Sequence, residues 1–96
     1  MANPTQLSSW QNLEREAQSL RQCELKALFS EDRARFDKFS IQAPQLLLDY
    51  SKNLMTDATK SALLALADEA GVAQWRDRMF AGEHINRTED RAVMHV

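Results

Sequence analysis

Glu83, His84, Glu89, Asp90 and Arg91 lie close together in "GEHINRTEDR", the one stretch of this chain with varied polar chemistry. Carboxylate, imidazole and guanidinium groups can move protons and hold anions when a fold gathers them into one cleft and shifts their pKa values. The rest of a site is missing around them. A phosphate cradle needs glycines ahead of a helix N-terminus, whereas Gly71 and Gly82 both follow helical segments. The G-x-S-x-G pattern of a nucleophile elbow does not occur in the sequence. His84 and His95 have no third strong ligand at zinc spacing. The adjacent carboxylates Asp68 with Glu69, and Glu31 with Asp32, diverge on a helix and read as solvated faces. The sequence therefore assigns no catalytic, substrate-binding or metal-binding residue within 1–96, and it implies no cofactor.

Other single residues are equally plain. Cys23 stands alone, which excludes an intrachain disulfide and a cysteine-rich metal site. Its neighbours Gln22 and Glu24 mark it as an inert or half-buried thiol. Asn86-Arg87-Thr88 fits the N-glycosylation pattern, but it reads as a turn with a helix cap. The 12 basic and 14 acidic residues are mixed along the chain, leaving no basic stripe for nucleic acid and no polybasic patch for anionic lipid. The longest aliphatic run, Leu46-Leu47-Leu48, is far too short to span a bilayer. "MANPTQLSSW" has neither a basic start nor an apolar stretch of the secretory kind. The expectation is a cytoplasmic protein that binds neither nucleic acid nor membrane.

The elements that would position these residues are mostly helical. Asn3 can cap, Pro4 suits a first helical position, and Gln6 stands three residues after the cap. Leu7, Trp10, Leu13, Ala17 and Leu20 then form one apolar stripe, so a helix is predicted over 4–22. Leu25, Leu28 and Phe29 predict a second helix over 24–29. Ser30, Glu31 and Asp32 open a third over 31–39, with Phe36 and Phe39 on its inner face. Thr56 and Gly71 bound a helix over 57–70, and Val72, Trp75 and Met79 give the face of another over 72–81.

One strand stands among them, near 45–50. Pro44 pushes Ala43 toward extended geometry, and Leu46, Leu47 and Leu48 alternate so that both faces are apolar. That is the pattern of an interior strand in an α/β protein. Its only candidate partner is the terminal run "RAVMHV", an extended or helical element at 91–96. Two strands alone are marginal in water. A chain of 96 residues with this order of elements is expected to be the opening piece of a larger α/β architecture, with no complete domain of its own.

Two segments carry a family resemblance. "LLLDYSKNLMT", with Asp49, Tyr50, Ser51, Lys52 and Asn53, resembles the end of the first strand in the glucose-6-phosphate isomerases. "MFAGEHINRTEDRAVMHV" resembles their M-F-x-G-E-x-I-N-x-T-E-x-R-A-V-x-H-V segment, with His84 and Asp90 as departures from the usual Lys and Gly or Asn. "NPTQLSSW" and "RFDKFS" are similar to bacterial members, so the resemblance covers the whole chain. It implies an αβα sugar-isomerase sandwich as the parent fold, and reversible aldose-ketose isomerisation of glucose 6-phosphate to fructose 6-phosphate as the parent activity. It further implies a glutamate base acting through a cis-enediol, a sugar phosphate substrate, a homodimer, and no metal or organic cofactor. The catalytic Glu, the ring-opening His and Lys, the stabilising Arg and the phosphate loop of the family would all lie beyond residue 96, leaving this piece inactive. The alternative is a free-standing helical interaction module that docks a partner helix through Trp10 or Trp75. The open strand edge argues against it.

Overall fold

Asn3 Oδ1 accepts the Thr5 amide at 3.1 Å and Pro4 takes the first helical position, so the chain opens in one 3-10 turn, Pro4–Gln6. The computed structural model describes residues 3–86 and 88–93. Leu7 is extended, and the helix expected over 4–22 restarts after it as α1, Ser8–Leu20. Leu7 offers no side-chain cap to that restart. The capping group comes instead from the far end of a helix 61 residues away, as described below.

Helix α2 spans Leu25–Glu31. Ser30 belongs to it rather than starting a new helix, because its hydroxyl donates back to the Lys26 carbonyl at 3.0 Å. Asp32 is extended, and its Oδ1 accepts the Ala34 amide at 3.0 Å. The helix expected over 31–39 is therefore confined to the single turn α3, Arg35–Lys38. Of its two aromatics, Phe39 is buried and Phe36 is exposed, so only one faces inward.

The strand near 45–50 exists as β2, Leu46–Asp49, and its partner lies immediately upstream as β1, Ser40–Ala43. The two pair antiparallel with Ser40 opposite Asp49, Ile41 opposite Leu48, Gln42 opposite Leu47 and Ala43 opposite Leu46. Pro44 and Gln45 join them, with Gln45 at φ 62°. Proline followed by a positive φ is the type II turn pattern. This register corrects the expectation of an interior strand apolar on both sides. Cross-strand partners share a face, so Ile41, Ala43, Leu46 and Leu48 make one apolar face, while Ser40, Gln42 and Asp49 put polar groups around Leu47 on the other. All of β2 is exposed, with Leu46 at 64%. The run 91–96 gives no second strand among the described residues. Arg91 makes an isolated antiparallel bridge to Asn86, and residues 94–96 lie outside those described.

Helix α4, Asp57–Ala70, and helix α5, Val72–Phe80, follow the expected bounds closely. Thr56 and Thr59 form a reciprocal capping box at the start of α4. Gly71, at φ 77°, closes α4 and turns the chain into α5. Helices α1 and α4 pack together, and α5 lies against α4. Buried apolar side chains among the described residues are Leu20, Leu28, Phe39 and Met55. The fold is mostly helical with a two-stranded antiparallel sheet.

Candidate functional site

The turn Ser51–Met55, which follows β2, is the most tightly organised polar region of the chain. Arg35 is 3% exposed and lies beneath it. Its Nε donates to the Ser51 carbonyl at 2.9 Å, and its two terminal nitrogens donate to the Met55 and Asn53 carbonyls at 2.8 Å each. The guanidinium also stacks 4.6 Å over the Phe39 ring. A planar fork of donors suits this task, since it meets three carbonyls at fixed angles. Phe39 meets Tyr50 edge to face at 5.7 Å, and the Tyr50 amide donates to the Phe39 carbonyl, extending the hairpin ladder by one step.

Asp49 closes the turn from the strand side. Its Oδ1 accepts the Ser51 hydroxyl at 2.6 Å and the Ser51 amide at 2.9 Å. Those two bonds, the hydroxyl first, hold its carboxyl below the ordinary value of 3.8. Ser51 and Asp49 are therefore spent on each other. Lys52 is exposed and Asn53 gives its carbonyl to Arg35, so the segment is a structural turn rather than a reactive one.

Nearby, Lys38 bridges Asp32 at 2.7 Å and Asp57 at 3.2 Å. The Lys38 ammonium, followed by the Ala34 amide, lowers the Asp32 pKa. Bonds to Asp32 and then Asp57 raise that of Lys38. A cleft of about 140 Å³ between Leu28, Asp32, Arg35, Phe39 and Asp57 opens there. Asp32 and Asp57 at its rim are paired with Lys38, and Arg35 is taken up by backbone carbonyls.

The polar stretch 83–91 is a surface turn. Asn86 and Arg91 exchange both backbone hydrogen bonds, at 3.0 and 3.2 Å. Glu83 pairs with Arg78 at 3.1 Å, His84 Nδ1 with Asp90 Oδ1 at 3.2 Å, and Arg91 with Glu89 at 3.4 Å. All of these groups except the half-buried Arg78 are exposed. The turn expected at Asn86-Arg87-Thr88 is present in part. Asn86 Oδ1 accepts the Thr88 hydroxyl and the Glu89 amide. It caps a bridged turn, however, not a helix, and Arg87 lies outside the described residues.

Glu69 is exposed, as expected, but it is also tied to another helix. Its carboxylate accepts the Ser8 amide at 3.0 Å, the Ser8 hydroxyl at 3.2 Å and the Ser9 amide at 3.3 Å, which caps α1 from the last turn of α4. Hydrogen bonding from Ser9, ahead of Ser8, lowers the Glu69 pKa below 4.5. Desolvation opposes these bonds. The Ser9 Oγ itself completes no hydrogen bond and is buried, so the named donors carry the contact. A groove of about 460 Å³ runs beside it between α1 and α4, lined by Ser9, Asn12, Arg15, Ala58 and Ser61 among others.

Cys23 is half-buried and free. Among the described residues, no group of three or more His, Cys, Asp or Glu is placed to hold a metal ion. No helix among them is long and apolar enough to cross a membrane. Trp10 and Trp75, the anchors of the interaction-module reading, are half-buried and locally partnered, by Glu14 at 2.9 Å and by the Arg78 guanidinium at 4.3 Å. Nothing in the fold favours that reading.

With no metal-binding cluster among the described residues, comparison with known proteins decides the assignment. A family model described as Phosphoglucose isomerase matches residues 49–96, from the last residue of β2 onward. This chain belongs to the phosphoglucose isomerase family. A protein of Colwellia psychrerythraea named Glucose-6-phosphate isomerase 1 is 53% identical over 96 residues, which are all of this chain and 18% of that protein. The Glucose-6-phosphate isomerase of Pseudoalteromonas translucida is 50% identical over the same 96 residues, again 18% of its length. A third relative, Glucose-6-phosphate isomerase 1 of Cupriavidus pinatubonensis, is 51% identical over 94 residues, 97% of this chain and 17% of that protein. The chain thus spans 17–18% of the length of these phosphoglucose isomerase relatives.

Proposed function

We propose that this chain forms the amino-terminal part of a glucose-6-phosphate isomerase, and that the complete enzyme interconverts glucose 6-phosphate and fructose 6-phosphate in glycolysis and gluconeogenesis. The alignment carries this reading: it spans all 96 residues of the chain at 53% identity to a protein of that name, within 18% of that protein's length. In such an isomerisation a base takes the proton from C2 of the open-chain aldose, an enediol forms, and a proton returns to C1 to leave the ketone at C2. The base must reach the carbon acid and have a pKa near the working pH, and the phosphate needs a cradle of donors.

The catalytic groups and the phosphate loop are assigned to residues after 96. What supports that placement is the state of the acids here. Glu83, Glu89 and Asp90 sit exposed in a surface turn, and Glu69 and Asp49 are committed to backbone amides. Residues 1–96 then serve as scaffold, with the helices covering one side of an αβα sandwich. The complete enzyme is assigned as a cytoplasmic homodimer that needs neither a metal nor an organic cofactor.

An isomerase assay on fructose 6-phosphate, reported through glucose-6-phosphate dehydrogenase and NADP, tests both parts. The 96-residue chain gives no turnover, and a polypeptide that continues past Val96 to the length of the relatives turns over. Activity in the short chain would overturn the placement of the catalytic groups. Inactivity of the folded long polypeptide would overturn the enzymatic assignment itself.

A further inference from the structure

We draw no further inference here: the strongest candidate, the exposed apolar face of the β1–β2 hairpin formed by Ile41, Leu46 and Leu48, carries none because nothing in the structure shows what covers it.

Discussion

Removing the Arg35 guanidinium leaves the Ser51 and Met55 carbonyls without their donor beside the buried Phe39 and Met55, while the Asn53 carbonyl keeps the Met55 amide. Buried acceptors left unpaired cost about 1–3 kcal/mol each, so Arg35→Met should lose about 2 kcal/mol or more. Arg35→Lys, with one ammonium and no fork, should recover only part of that. Urea unfolding followed by circular dichroism checks both, the midpoint moving while the slope stays constant. Glu69 gives a prediction in pH. Its folded pKa is depressed, so its contribution is present above 4.5 and fades as pH falls through the lower folded value. Glu69→Gln should melt earlier than the parent at pH 7, and the gap should close in acid. Thermal melts from pH 7 to pH 3 read this; a gap that stays constant would mean the carboxylate charge does not matter. Neither residue announces its role in the sequence. An arginine satisfied by main-chain carbonyls needs no acidic partner at any fixed spacing, and Glu69 meets Ser8 only through the tertiary fold.

Elements capped by their own neighbours were readable, and those capped from a distance were not. Thr56, Thr59 and Gly71 lie at the ends of α4, so both boundaries follow from adjacent residues. The break at Leu7 is hidden because the cap that restarts α1 belongs to α4. The hairpin was half legible. Leu46–Asp49 stands out as apolar, but Ser40–Ala43, equally short, alternates polar Ser40 and Gln42 with Ile41 and Ala43, and Pro44 suits a strand entry as well as a turn. Gly71 carries the element-scale prediction. A Cβ there would meet Gln74 and Trp75 at ordinary contact distances of 3.6 and 3.8 Å, so space is not the obstacle. The φ of 77° is, and Gly71→Ala should cost about 1–2 kcal/mol. Gly71→Asn should cost less, because asparagine tolerates the left-handed region. Denaturant midpoints of the two variants rank them, and equal midpoints would show that the α4–α5 corner relaxes to another geometry.

At the scale of the whole molecule, the radius of gyration is 16.8 Å, against about 12–13 Å expected for a compact domain of this length. The apolar side chains of Leu46, Leu47, Leu48, Leu64 and Phe80 remain at least half exposed. Chains of this size are stabilised by about 5–14 kcal/mol in all. Phe39, at 2% exposure, anchors the small interior. Phe39→Ala should remove about 3–5 kcal/mol, a large share of that total. Loss of the cooperative urea transition would bear this out, and an unshifted midpoint would show that the ring is not an anchor. The least dimension of the molecule is 17 Å. Two layers of helix occupy about 13–15 Å between their outermost Cα atoms, so a third layer does not fit. The helices form a thin layer in which α4 is the shared member, packed by α1 on one flank and by α5 on another. Withdrawing α4 would therefore bare α1 and α5 together, whereas loss of α5 would uncover α4 alone.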